Sequence, residues 1–137
     1  MKMKPMLTVA DVDTLLAAAR AEAARNKWSV SISIVDDGGH LLGMIRLDGA
    51  GLSTVEMSRE KARTAALCRR ESKHYEDTIN NGRISFLSAP LLKGMLEGGV
   101  PIVVDGMTVG AIGVSGVKSP EDAQVAKAGI AALVTGT

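Results

Sequence analysis

The sequence predicts an α/β fold of the α+β kind: two antiparallel hairpins joined into one sheet of four or five strands, with helices covering the apolar face. Three observations predict it. Two β-branched runs are each folded back by a short turn, "DDGG" at 36–39 and "DG" at 105–106. A parallel arrangement would need a crossover of about a dozen or more residues at each place. Stretches with helical spacing of apolar residues lie before, between and after the hairpins. At 137 residues the chain forms one domain, 1–137, around one core.

The first helix is capped by Thr8, with Asp11 at its third position, and runs to about Asn26; Val12, Leu15, Leu16, Ala19 and Ala23 form its apolar stripe. "VSISIV" then sets Val30, Ile32 and Ile34 against Ser31, Ser33 and Val35, the alternation of a strand with one apolar face. After the turn, residues 40–47 return as its partner. Ser53 or Thr54 opens a second helix, ending near Ser72. Its exposed side carries Glu56, Arg59, Glu60 and Arg63, and Ala62, Ala65, Ala66 and Cys68 are small packing positions. Short helices are expected over Tyr75–Asn80, stopped by "NNG", and from Pro90 to the glycines at 98 and 99. Ile102–Val104 pairs with Thr108–Val114 as the second hairpin. Ser119, Pro120 and Asp122 then start a last helix over Ala123–Val134.

Composition narrows the function. Sixteen basic against fifteen acidic residues give a formal charge of +1, which offers no global attraction to nucleic acid or to an anionic membrane. Nothing resembles a signal peptide or an apolar run of about 18 residues, so a soluble cytoplasmic protein is expected. Only Trp28, Tyr75 and Phe86 are aromatic. The core must therefore be built from aliphatic residues, methionine and many alanines, with close backbone approach. Cys68 is alone, which excludes an internal disulfide and a four-cysteine metal site.

"VPIVVDGMTVGAIGVSG" at 100–116 holds the glycines that need explaining. Gly110 and Gly113 are costly in a strand unless something approaches them closely. Ser115 and Gly116 lie just before a helix, where amides can receive an anion or simply bend the chain; Gly98 and Gly99 allow the same two readings. Lys61 either attracts a carboxylate or pairs with a neighbour on its helix. His40 and His74 carry imidazoles able to ligate haem iron or move a proton, and either also serves as an ordinary surface histidine. Met44, Met57 and Met95 fit a porphyrin wall or plain core packing.

"VSISIVDDGGHLLGMIRLDGA", "EKARTAALCRR", "GGVPIVVDGMTVGAIGVSG" and "SPEDAQVAKAGIAAL" together resemble the GlcG/HbpS, haem-degrading-like family, also found as the carboxy-terminal domain of PduO proteins. The resemblance covers Leu7 to Leu133. It implies a profilin-like antiparallel sheet of about five strands flanked by helices, and assembly into dimers, tetramers or octamers. It further implies a small-ligand-binding domain with haem as preferred ligand. The cofactor-binding candidates are then Lys61, His74, Gly98, Gly99, Ser115 and Gly116, with His74 the expected iron ligand. A catabolic enzyme acting on a small organic acid or an aromatic-ring product is the alternative. There Lys61 would bind or polarise the substrate, His74 or His40 would transfer a proton, and amides at Gly99 or Ser115 would stabilise oxygen charge. A non-catalytic assembly protein is the third reading.

Overall fold

The fold was obtained as a computed structural model that describes residues 1–135. Its elements are α1 (Val9–Arg25), β1 (Ser31–Asp36), β2 (Leu41–Arg46), α2 (Thr54–Cys68), α3 (Lys73–Asn80), a 3-10 turn (Ile84–Ser88), β3 (Gly99–Val104), β4 (Met107–Ser115) and α4 (Ser119–Thr135). The described strands form one antiparallel sheet in the order β2-β1-β4-β3. It has four strands, the lower of the two numbers expected. Helices α1 and α4 pack together over one face, and α2 lies on the other.

Local chemistry explains most boundaries. Thr8 and Asp11 close a reciprocal capping box at α1: the Asp11 amide donates to Thr8 Oγ1 at 3.2 Å and the Thr8 amide to Asp11 Oδ2 at 2.8 Å. The second hairpin turns on Asp105 and Gly106, both at positive φ (51° and 75°), the backbone twist a two-residue hairpin loop prefers. At α4 the amides of Glu121 and Asp122 both donate to the Lys118 carbonyl, so the helix begins one residue ahead of the expected Ser119 cap.

The strand β1 differs from its sequence pattern. Val30, Ile32 and Ile34 join the main core under α1 and α4, with Leu15, Ile112 and Val114. The alternate residues Ser31 and Ser33 were expected on an exposed face, yet both are fully buried. Ser31 Oγ bonds Thr54 Oγ1 at 2.8 Å and Ser33 Oγ bonds Ser58 Oγ at 2.7 Å, so each buried hydroxyl meets one on α2. Beyond them Val35, Ala62, Ala65, Ala66 and Ala111 form a second, smaller core. The sheet is thus covered on both faces, and the α2 face is a polar seam continued by alanines.

Small residues let α2 lie unusually close. A Cβ on Gly113 would fall 2.0 Å from the Ser58 carbonyl oxygen, and one on Gly99 would fall 2.1 Å from the Lys61 carbonyl oxygen. Gly94 is equally tight, at 2.2 Å from the Glu60 carbonyl carbon. That contact explains why no helix forms after Pro90: the segment crosses α2 backbone to backbone, which side chains around a helix would prevent. The second helix also stops earlier than expected, at Cys68, because Arg69 takes the left-handed conformation. The released Ser72 is drawn to β3: its amide donates to the Gly99 carbonyl at 3.0 Å, and the Gly99 amide donates to Ser72 Oγ at 2.8 Å. This pair starts α3 at Lys73, two residues before the expected Tyr75.

Candidate functional site

Lys61 sits in the middle of α2 and is 2% exposed. Its Nζ donates to the Val114 carbonyl and to Asp122 Oδ2, each at 3.0 Å. The contact spans the molecule, because α2 lies on one face of the sheet, Val114 near the end of β4, and Asp122 in the first turn of α4 on the other face. Gly98 makes the route possible: a Cβ there would lie 2.6 Å from the Val114 oxygen and 2.9 Å from Lys61 Nζ. The second Asp122 oxygen, Oδ1, accepts from the Val117 amide at 3.2 Å. Burial pushes the Asp122 carboxyl above the ordinary carboxylate range, against the opposite pull of the Lys61 ammonium.

The structure therefore brings Lys61, Gly98 and Gly99 into direct contact, with Ser115 and Gly116 following Val114 in the chain. The space among them is filled by packed backbone and the ion pair. Of the amides expected from sequence to receive an anion, that of Gly99 donates to Ser72 Oγ at 2.8 Å, and the two amides that follow Gly116 donate to the chain's own acids, Val117 to Asp122 and Lys118 to Glu121 at 3.3 Å. Gly116 turns the chain at φ 147°, with its Cα face against the Ser29 carbonyl.

His74 lies elsewhere, exposed in the first turn of α3. Its Nε2 bonds Arg70 Nη1 at 2.9 Å, and its ring meets Tyr75 edge-on at 5.1 Å. Tyr75 in turn packs on Phe86 at 5.5 Å, and Arg83 lies 4.8 Å from the Phe86 ring centre. Burial and a hydrogen bond to Cys68, which holds the phenolic proton, raise the Tyr75 hydroxyl above its ordinary value. Ile84 and Leu87, on the same 3-10 turn as Phe86, are exposed, as are Leu91 and Leu96 in the segment that follows. The loop carrying the last two is tied to α3 where the Glu97 amide donates to Glu76 Oε1 at 2.8 Å. Exposed aliphatic side chains and half-buried rings thus share the α3 and 3-10 segment with the His74 imidazole and the Arg70 and Arg83 guanidinium groups. On α2, two buried side-chain oxygens, Glu60 Oε2 and Thr64 Oγ1, have no hydrogen-bond partner among the described residues. Such atoms in native proteins are usually met by water or a ligand.

His40 closes the first hairpin turn and is exposed. Its amide and that of Gly38 both donate to Asp36 Oδ1 at 2.9 Å, while Gly39 packs against the Arg63 side chain. Among the described residues no hydrogen bond or ion pair joins Lys61, His74 and His40 to one another, and no group of three histidine, cysteine or acidic side chains could hold a metal ion. No helix among them is long and apolar enough to cross a membrane.

Asp122, whose sequence context is that of a helix-start acid, is the partner of Lys61, which the sequence does not reveal. Ser72 was missed too. Neither has a local signal, because their partners lie 61 and 27 residues away.

An antiparallel sheet covered by helices on both faces defines a small single-sheet α/β domain. The chain belongs to the family described as haem degrading protein HbpS-like, whose model matches residues 7–131. It is 54% identical over 115 residues to "Protein GlcG" of Escherichia coli strain K12, covering 84% of this chain and 85% of that one. Among solved structures it resembles a double mutant of Streptomyces reticuli HbpS, with a TM-score of 0.86 and 29% identity over 96% of this chain and 89% of that one. It also resembles a PduOC:Heme complex, with a TM-score of 0.84 and 26% identity over 93% of this chain and 95% of that one.

Proposed function

We propose that this protein is a small-ligand-binding domain whose ligand is haem, taken up on the surface of α3 and the 3-10 turn with His74 as the iron ligand. The observation that carries this reading is the exposure of Ile84 and Leu87 on the 3-10 turn whose Phe86 packs on the Tyr75 ring beside His74, with Leu91 and Leu96 exposed in the segment that follows. A porphyrin is a flat apolar ligand with two carboxylates and an iron that accepts imidazole nitrogen. The residues present fit it in kind: aliphatic and aromatic side chains for the ring, His74 for the iron, and Arg70, Arg83 and Lys93 for the carboxylates. His74 Nε2 is held by Arg70 here, so ligation through that nitrogen would free the guanidinium for a carboxylate. When bound, haem supplies the iron chemistry; the chain supplies orientation and charge.

Lys61, Gly98, Gly99, Ser115 and Gly116 act in this reading as the frame beneath the site. Lys61 fixes the end of β4, Gly99 packs on the Lys61 carbonyl, and Ser72 on Gly99 fixes the start of α3, two residues before His74. The relatives support the ligand: one fold match is a haem complex, and the family description is haem-degrading. Titration with haem is expected to give a saturable Soret shift, weakened more by His74→Ala than by His40→Ala. A wild-type protein with no saturable shift would remove haem as the ligand.

A further inference from the structure

The segment "MKMKPM" at 1–6 carries a feature that the fold does not account for. Met1, Met3 and Met6 are 126%, 90% and 82% exposed. The other four methionines behave as packing residues: Met44, Met57 and Met107 are half-buried and Met95 is buried. Burying a methionine side chain is favourable, and this arm forgoes that gain at three positions out of six.

The arm is nevertheless held to the domain. Lys4 Nζ donates to Asp37 Oδ2 in the first hairpin turn. Leu7 packs against the main core and lies next to Gly110. Between these two anchors Pro5 fixes the backbone φ. Met3 and Met6 therefore flank a tethered Lys-Pro pair, with Met1 two residues further out. Residues 1–7 belong to no helix or strand, so no ladder of hydrogen bonds opposes a bend that draws the three side chains together. Even in a fully extended chain the Cα atoms of Met1 and Met3 stand no more than about 7 Å apart, and those of Met3 and Met6 about 11 Å. An unbranched side chain with three rotatable bonds closes such gaps over a shared ion.

The chemistry of the three side chains decides which ion. A thioether sulfur is a soft, polarisable and uncharged donor, and soft sulfur ligands select Cu(I), whereas hard divalent cations require oxygen. No acidic residue occurs before Asp11, and Asp11 is engaged in the Thr8 cap. Of the two lysines in the arm, Lys4 is paired with Asp37, so only Lys2 repels a bound cation, and a single charge suffers this least. Cys68, the chain's one thiol, belongs to the end of α2 beside Tyr75. We propose that Met1, Met3 and Met6 form a three-thioether site for Cu(I), sharing no residue with the haem surface around His74.

Competition against a chromophoric Cu(I) chelator, under anaerobic reducing conditions, tests this in the full chain carrying Cys68→Ser, which removes the thiol as a rival ligand. That protein is expected to take up Cu(I) in a one-to-one ratio. Adding Met3→Leu and Met6→Leu keeps apolar bulk at two exposed positions and leaves the fold intact, as circular dichroism would verify. It is expected to weaken binding at least about a hundredfold, since losing even an outer-shell partner at a metal site costs about ten- to a hundredfold. Met44→Leu with Met57→Leu, taken from the packing methionines, and His74→Ala, taken from the haem surface, are each expected to leave the affinity unchanged. Thioethers have no proton to lose, so affinity is expected to be equal at about pH 5 and about pH 7, where an imidazole or thiolate site weakens on acidification. The proposal is overturned by a Cys68→Ser protein that takes up no Cu(I), by arm variants that bind as tightly as their parent, by a loss in either control, or by an affinity that falls with pH.

Discussion

Lys61 Nζ and Asp122 Oδ2 lie 3.0 Å apart, each residue about 2% exposed, and through them the helix on one face of the sheet holds the helix on the other. A buried pair of this kind gains little over well-packed apolar side chains, but removing one partner strands the other charge. Lys61→Met or Asp122→Asn alone is expected to cost about 3–5 kcal/mol in urea unfolding. The double variant Lys61→Met/Asp122→Leu is expected to recover most of that loss. Single variants as stable as wild type would show that the charges are not held as a pair.

The raised Asp122 carboxyl has a consequence for pH. The native state holds this proton at pH values where the unfolded chain has released it, so Asp122 lowers stability as pH rises from the ordinary carboxylate range through its native value. Glu22 and Asp37 work the other way. Hydrogen bonds from Gln124 and from Lys4, respectively, lower their carboxyls, and the stability they add above the ordinary range is lost as pH falls through the native values. Compared with wild type, the Lys61→Met/Asp122→Leu variant is expected to gain relative stability as pH rises through the carboxylate range. Urea midpoints measured across that range check the sign.

Alanine at the tight glycines separates steric demand from mere flexibility. Gly113→Ala and Gly99→Ala drive a methyl group into α2 backbone and are expected to cost about 3 kcal/mol or more. Gly51, where the nearest atom to an added Cβ is 3.8 Å away and φ is not positive, is the control, with an expected change within about 0.5 kcal/mol. Thermal melts of the three variants decide it.

The serine seam between β1 and α2 should behave as coupled hydroxyls. Ser58→Ala strands the Ser33 hydroxyl, since Ser58 Oγ, which itself donates to the Val55 carbonyl at 2.9 Å, is its partner, and is expected to cost about 1–3 kcal/mol, whereas Ser33→Ala together with Ser58→Ala should cost less than the sum of the two single changes. A double-mutant cycle with no coupling would mean that the two hydroxyls are satisfied independently.

Several features were legible in the chain alone because they rest on neighbours in sequence. The Thr8–Asp11 cap, the two hairpin turns and the apolar stripe of α1 depend on residues within a few positions of one another, where propensity and spacing act directly. The family was legible too, in stretches such as "VVDGMTVGAIGVSG" that combine turn chemistry with the strand glycines. The sequence could also show that Gly110 and Gly113 needed a close neighbour. It could not name that neighbour: Gly113 meets Ser58 and Ala62 across 55 and 51 residues of chain, once the sheet has closed. Burial of Ser31 and Ser33 likewise depends on α2 arriving with Thr54 and Ser58 at matching height, so an alternation that reads as half-exposed is buried on both sides. Lys61 is the clearest case. Along its helix it reads as a surface cation among Glu56, Arg59, Glu60 and Arg63, and only the meeting of α2, the end of β4 and the first turn of α4 supplies the carboxylate and carbonyl that let an ammonium stay buried.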